Sequence, residues 1–152
     1  MTNFILQKRV CWDDYDPATL LRGDPVFKPK SDIPFADTRD HRILLNDWPY
    51  GLAPGITHIV VWLKVRLPVD MSPESERVGE LTPEGRRMVD EFVRGKFESG
   101  LGVEGLDRVV WFKNWTGLQS VRGLEHVHVL VRDVPRERLD GILERPWEEA
   151  EA

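Results

Sequence analysis

The residues best suited to chemistry are three histidines on two segments that the sequence predicts as β-strands. His126 and His128 alternate within Glu125-His126-Val127-His128, and His58 lies in an earlier apolar segment. Imidazole titrates near neutral pH, so it can act as a nucleophile, a general acid or base, or a metal ligand. Successive side chains of a strand point to opposite faces, so His126 and His128 share one face and Glu125 points to the other. The pattern predicts a site centred on this strand.

The two histidine-bearing strands have the same design. Between His58 and Leu67, every second residue is aliphatic, and the intervening positions carry an imidazole and two cations. If both strands lie in one antiparallel sheet, the three histidines converge on one face. The cations expected on that same face are Lys64, Arg66 and Arg132.

The first functional hypothesis is an enzyme that acts on a phosphorylated small molecule, such as a nucleotide or a nucleotide-sugar-like compound. Cations beside an imidazole hold a phosphate and stabilise charge in phosphoryl or nucleotidyl transfer, and aromatic side chains wall a pocket for a base or sugar ring. The predicted catalytic residues are His126, His128 and His58. The predicted substrate-binding residues are Lys64, Lys113, Asn114, Arg132, Trp48, Tyr50 and Trp62.

Two other hypotheses remain open at this point. The second hypothesis is a metalloenzyme whose ligands are His58, His126 and His128. Three imidazoles can hold a divalent metal and leave one coordination position open. The identity of any cofactor stays open, with a divalent metal as the candidate. The third hypothesis is a non-catalytic regulatory or ligand-binding domain whose aromatic residues recognise a small molecule.

The elements that must position these residues predict an α+β fold, with an antiparallel sheet and helices on one of its faces. Strands are expected over 58–67, 108–113 and 126–132. A helix is expected from the cap at Thr82, followed by Pro83, with apolar residues at helical spacing as far as Phe97. Short helices are expected over 16–21, 40–46 and 135–143.

The length of 152 residues suits one domain over 1–152. Residues 1–40 are predicted to be an irregular N-terminal extension, 41–133 the core, and 134–152 a C-terminal helix with an acidic tail. No repeat or long linker divides the chain.

Composition limits the partners and the compartment. The net charge of −5 and the absence of a long basic stripe argue against nucleic acid. No segment approaches the ~20 apolar residues of a membrane span, and the sole cysteine, Cys11, cannot form an internal disulfide. We therefore expect a cytoplasmic protein with an anionic small-molecule substrate and no membrane partner; a homodimer is compatible with these features.

Four strings of residues resemble the N-acetylglucosamine-induced protein 1 family, which is best known from fungi. They are NDWPYG at 46–51, GITHIVVWLK at 55–64, WFKNW at 111–115 and EHVHVLV at 125–131. The resemblance covers roughly residues 40–132. It implies a link to amino-sugar metabolism through the family's name and supplies no reaction.

A more distant resemblance is to the histidine triad superfamily of nucleotide hydrolases and transferases. The shared order is His58 with Lys64 six residues later, then a helix, Asn114 at a strand end, the element 119–121 (Gln-Ser-Val), and a strand of alternating histidines. The resemblance implies a histidine-triad-like sheet whose polar face binds a phosphate.

The resemblance also assigns roles to the histidines in two ways, because the superfamily has three histidines on the last strand and this chain has two. In the preferred alignment Leu124 replaces the first histidine, His126 is the nucleophile and His128 a phosphate ligand. In the other alignment His128 is the nucleophile and Leu130 replaces the third histidine.

Overall fold

The computed structural model describes residues 4–21, 25–46, 51–114 and 123–144. The elements, in chain order, are a π-helical turn Ile5–Val10, α1 Pro17–Leu21, a 3-10 turn Thr38–Asp40, β1 His41–Leu45, β2 Ile56–Leu63, β3 Val69–Asp70, β4 Glu80–Leu81, α2 Pro83–Val93, a π-helical segment Arg94–Ser99, β5 Val109–Phe112, β6 Glu125–Arg132 and α3 Arg136–Asp140. The α+β class and the antiparallel sheet are confirmed.

The four long strands form one antiparallel sheet in the order β1-β2-β6-β5. Strands β2 and β6, which carry His58, His126 and His128, are neighbours at its centre and pair along their whole lengths, from Ile56 opposite Arg132 to Leu63 opposite Glu125. Strands β3 and β4 form a separate two-residue ribbon.

One face of the sheet carries the larger core, because every second residue of the central strands is aliphatic. Ile59 and Val61 of β2 lie beside Val127 and Val129 of β6, all buried, and helix α2 packs over them. This helix begins as the sequence predicts: the Thr82 hydroxyl accepts a hydrogen bond from the Gly85 amide at 3.1 Å, and Pro83 occupies the first helical position.

The opposite face, which carries the histidines, is partly covered by the N-terminal segment. Residues expected to be an irregular extension include the π-helical turn, whose Ile5, Leu6 and Val10 are buried against Val60 and Trp62 of β2. Val60 and Trp62 are apolar, and packing of the N-terminal segment against them removes their surface from water. The predicted helix at 16–21 is present as α1.

The helix expected over 40–46 is wrong: residues His41–Leu45 form strand β1. Ile43 belongs to the core under the helices, and Leu44 belongs to the second cluster on the histidine face. Consecutive residues can face opposite apolar layers only in an extended strand, so tertiary packing overrides the local helical preference.

We expect the N-terminal segment to contribute to folding. Leu6→Ala should lower the free energy of unfolding by about 2–5 kcal/mol, because the Leu6 side chain is 2% exposed and its removal leaves a cavity. Urea denaturation at constant pH measures this. The matched control is Leu21→Ala, where the side chain is 91% exposed and the change should stay within about 0.5 kcal/mol. Equal effects of the two substitutions would contradict the packing described for this segment.

Candidate functional site

Three imidazoles form a continuous row on the face of the sheet opposite helix α2. His58 Nε2 lies 2.9 Å from His128 Nδ1 and shares a hydrogen bond with it. The ring centroids of His58 and His128 are 5.1 Å apart, and those of His128 and His126 are also 5.1 Å apart. We call His58, His128 and His126 the imidazole row.

The strand register explains this arrangement. His128 lies opposite Val60, and His126 lies opposite Trp62, so His58 is the diagonal neighbour of His128 across the pair. Diagonal neighbours in an antiparallel pair are within reach of each other when both side chains are long or aromatic. The structure therefore brings together the three predicted catalytic histidines.

Burial holds the three imidazoles in the neutral form. It lowers the pKa of His58 and the pKa of His126, which the charge of Lys113 lowers further although the Leu124 carbonyl raises it in part. Burial lowers the pKa of His128 to about 3, with further contributions from His126, His58 and Lys113. Neutral imidazoles have a nitrogen lone pair, so they can attack an electrophile or accept a proton.

The hydrogen bonds also constrain which nitrogen carries the proton. His126 Nδ1 lies 2.8 Å from the Leu124 carbonyl oxygen, which only accepts, so Nδ1 is the protonated nitrogen and Nε2 carries the lone pair. Between His58 and His128 one nitrogen donates and the other accepts, and the distance alone allows either direction.

A cavity of about 320 Å³ opens beside the row. Its lining combines two imidazoles, an amide and apolar side chains: Leu52, His58, Phe112, Asn114, His128 and Leu130. Phe112 stacks on His128 with ring centroids 4.7 Å apart and an interplanar angle of 10°. His128 Nε2 is buried and has no hydrogen-bond partner among the described residues. His128 thus combines a place in the wall of the cavity with a ring nitrogen that is unpartnered within the described part of the chain.

Lys64, predicted to bind substrate, contacts the N-terminal segment. Its Nζ lies 2.8 Å from Asp14 Oδ1 and donates to Asp14 Oδ2 at 2.9 Å. The same ammonium group lies over the ring of Trp12, 5.3 Å from its centroid. Lys64 therefore helps to hold the cover of the histidine face and does not line the cavity described here.

Lys113 and Arg132 are also engaged elsewhere. Lys113 Nζ lies 2.9 Å from Glu125 Oε1, and both side chains are almost fully buried. Glu125 lies opposite Leu63, on the helix-covered face, as strand alternation predicts. Arg132 extends to the end of its strand, where Nη2 donates to the Asp107 carbonyl at 3.2 Å.

The remaining predicted residues divide into two groups. Asn114 lines the cavity, and Trp62 contacts His126 with ring centroids 4.9 Å apart. Trp48 and Tyr50 lie outside the described residues.

The three-histidine metal reading receives no support from this geometry. Within residues 4–21, 25–46, 51–114 and 123–144, no group of three histidine, cysteine or acidic side chains is arranged to hold a metal ion. His58 and His128 direct ring nitrogens at each other, and His126 directs Nδ1 at a backbone carbonyl. One ring nitrogen of each histidine thus already has a partner within the protein.

The predicted site does not include the apolar wall of the cavity, namely Phe112, Leu52 and Leu130. Alternation along β5 contains a signal for Phe112, which pairs with His128 across the sheet and is 38% exposed although aromatic. A single exposed aromatic residue is common on protein surfaces, so this signal alone does not locate a ligand site. Leu52 lies in a loop, where no periodicity locates it.

These features define an α+β protein with a row of neutral imidazoles beside a largely apolar cavity. The chain belongs to the family described as "Protein of unknown function (DUF3605)", which matches residues 1–132. The resemblance to the N-acetylglucosamine-induced protein 1 family is confirmed, whereas the histidine-triad relationship stays a prediction.

Two curated relatives come from yeasts. The chain is 35% identical over 112 residues to N-acetylglucosamine-induced protein 1 of Candida albicans, covering 74% of the chain and 42% of the relative. It is 35% identical over 145 residues to uncharacterized protein YPL067C of Saccharomyces cerevisiae, covering 91% of the chain and 62% of the relative. The chain thus spans less than two thirds of either relative's length.

One solved structure, titled "Crystal Structure of HTC1", is similar at 34% identity and a TM-score of 0.48, covering 68% of this chain and 53% of that one. Among the described residues, no helix is long and apolar enough to cross a membrane.

Burial of His128 predicts a pH dependence of stability. The folded pKa of about 3 lies below the ordinary value of 6.5, so the unfolded chain binds the proton first as pH falls. Stability from this group is complete above pH 6.5 and is lost as pH falls toward 3. Between pH 7 and pH 5, wild type should lose about 2 kcal/mol more than His128→Gln, which does not titrate. Urea denaturation at both pH values measures this, and equal losses in the two proteins would show that His128 is not buried as described.

Proposed function

We propose that this protein is an enzyme that acts on a phosphorylated small molecule, with His128 as the group that attacks the substrate. The observation that carries the proposal is the His58–His128 hydrogen bond at the wall of a cavity, with the second ring nitrogen of His128 unpartnered among the described residues. A nucleophile oriented by a neighbouring group is the general pattern of covalent catalysis by side chains.

The chemistry follows from the tautomer that this role requires. In this tautomer the proton stays on His128 Nδ1, which donates a hydrogen bond to His58 Nε2, and the lone pair is on His128 Nε2. Attack by Nε2 on phosphorus forms an N–P bond and breaks the P–O bond to the leaving group, whose oxygen takes a proton from solvent. Water then cleaves the N–P bond and restores His128. His58 accepts a stronger hydrogen bond as positive charge develops on His128.

The charges near the row support an anionic substrate. Lys113 contributes to the low pKa of His128, and both Lys113 and Arg66 contribute to the low pKa of His126. A field that disfavours a second positive charge favours a negative one at the same place. The field acts through space, because Lys113 pairs with Glu125 rather than pointing into the cavity.

His126 has a supporting role in this proposal. Its Nδ1 is bound to the Leu124 carbonyl, and its ring contacts His128 and Trp62. It is not among the residues that line the cavity. We therefore assign the nucleophile to His128, which corresponds to the second of the two alignments with the histidine triad pattern.

The substrate class combines a phosphate with an uncharged ring. Phe112, Leu52 and Leu130 offer apolar surface for a ring, and Asn114 offers one amide. A nucleotide or a nucleotide-sugar-like compound contains both parts. One curated relative is named for induction by N-acetylglucosamine, so amino-sugar phosphates belong among the compounds tested. The sole cysteine and the expected use of a metabolite substrate support a cytoplasmic location as part of the same proposal.

A second candidate function, a non-catalytic ligand-binding domain, is favoured by one observation. Lys64, Lys113 and Arg132 have protein partners, and none of them lines the cavity. A binding domain of this kind would take an uncharged ring and leave it chemically unchanged.

We expect consumption of at least one compound in a panel of nucleotides, sugar nucleotides and sugar phosphates, followed by ³¹P NMR. His128→Gln should reduce the rate by roughly 10²- to 10⁴-fold, the contribution typical of a positioned proton-transfer or nucleophilic side chain. When the reaction is stopped during turnover, mass spectrometry of the intact protein should show an increase equal to the mass of the transferred group. This increase should be absent in His128→Gln.

The matched control is Val110→Ala, on the neighbouring strand and 54% exposed but outside the cavity lining, which should keep the wild-type rate. Thermal stabilisation by a ring compound without phosphate consumption would favour the binding domain. If no compound of the panel is consumed and none stabilises the protein, both proposed functions are contradicted.

A further inference from the structure

A buried ion pair lies on the sheet face opposite the imidazole row. Lys113 Nζ and Glu125 Oε1 are 2.9 Å apart, and their side chains are 4% and 6% exposed. Every other ion pair found in the described part of the chain has at least one side chain that is more than 20% exposed. This pair therefore has an environment unlike that of the others.

The chain neighbours of the pair are the residues of the candidate site. Lys113 lies between Phe112, which stacks on His128, and Asn114, which lines the cavity. Glu125 directly precedes His126. Because side chains alternate along a strand, a contact on one face sets the position of the residues on either side of it on the other face.

The carboxylate of Glu125 also binds a third segment. Its Oε2 accepts a hydrogen bond from the Leu67 amide at 3.0 Å, in the chain that follows β2. Glu125 thus connects the end of β5, the start of β6 and the exit of β2. These are the three strands that carry Phe112, His128 and His58.

Stability alone does not explain a pair of this kind. Removing two charges from water is costly, and well-packed apolar residues stabilise a core as well or better. A buried pair does impose one geometry, because each charge is satisfied only when its partner is in place. The location at the junction of three site-bearing strands gives that geometric constraint a use.

We propose that Lys113 and Glu125 are positioning residues of the imidazole row: their ion pair fixes the end of β5 against β6 and so holds the Phe112 ring against His128. This inference rests on the proposed function in one respect: it assumes that the imidazole row is the reacting group. Neither residue touches the cavity.

The two charges of the pair act on the imidazole row in opposite directions. Lys113 lowers the pKa of both His126 and His128, whereas Glu125 raises that of His126. Arg66, in the chain after β2, also lowers the pKa of His126. His126 and His58 also lower the pKa of His128. Loss of the Lys113 charge should therefore raise the pKa of His128.

The test uses the double variant Lys113→Met/Glu125→Gln, which leaves no unpaired buried charge and keeps an oxygen to accept from the Leu67 amide. Histidine side chains labelled with ¹³C and ¹⁵N are observed by NMR without ligand. We expect the His128 pKa to rise and the ring-current shift that Phe112 imposes on His128 to decrease. The pKa reports the field, and the ring-current shift reports the position of the ring.

The control is Arg87→Met/Glu91→Gln, which neutralises an ion pair whose side chains are 58% and 67% exposed on helix α2. It should leave both His128 signals at the wild-type values. Lys113→Arg, which keeps the charge, should retain most of the ring-current shift.

A folded Lys113→Met/Glu125→Gln protein with a wild-type Phe112 ring-current shift on His128 would overturn the inference. If this variant does not fold, Glu125→Asp decides in the same way, because it keeps the charge and shortens the reach by one methylene. The signals are read without substrate, so failure of the proposed enzyme activity would appear separately, as absence of turnover in a protein with wild-type imidazole signals.

Discussion

The pairing of β2 with β6 is the constraint on which the rest of the structure depends. The two strands lie at the centre of the sheet and pair in one register from end to end. A slip by one residue would exchange the faces, moving the histidines under helix α2 and Val127 and Val129 to the other side. The aliphatic face excludes that slip, because it would expose the larger core. The free energy gained by burying the larger core thus determines which side chains lie on the opposite face.

Burial of the imidazole row has an energetic cost and a chemical consequence. His126 and His128 are among the few polar residues in the described part of the chain that are nearly fully buried. Burial disfavours the charged form, so the rings are neutral where an exposed histidine would be partly protonated. The hydrogen bond between His58 and His128 and the one from His126 to the Leu124 carbonyl compensate part of the loss of hydration. In the proposed function, a group held neutral and oriented in this way is prepared for attack or proton transfer before the substrate binds.

The cations show how tertiary partners change the meaning of a charge pattern. The strand predicted over 58–67 places Lys64 in line with His58, but β2 ends at Leu63. The N-terminal segment supplies Asp14 and Trp12 as the neighbours of Lys64. Lys113 stands between two cavity residues in the chain, yet its ammonium group reaches a carboxylate on the other face. A lysine whose hydrogen bonds are made elsewhere can still change the pKa of nearby site residues through the electric field of its charge. Lys113 in this way lowers the pKa of His126 and His128 without lining the cavity.

The sequence by itself determined the class of fold and the members of the imidazole row. Period-two alternation identified β2 and β6, the Thr82-Pro83 signal identified the start of α2, and shared parity placed His58 with His126 and His128, because these patterns are local consequences of backbone geometry. Only the tertiary structure decided that residues 41–45 are a strand, that the N-terminal segment covers the histidine face, that the cations have other partners, and that Phe112 and Leu52 wall the cavity. Each of those outcomes depends on contacts between residues distant in the chain, which no local pattern encodes.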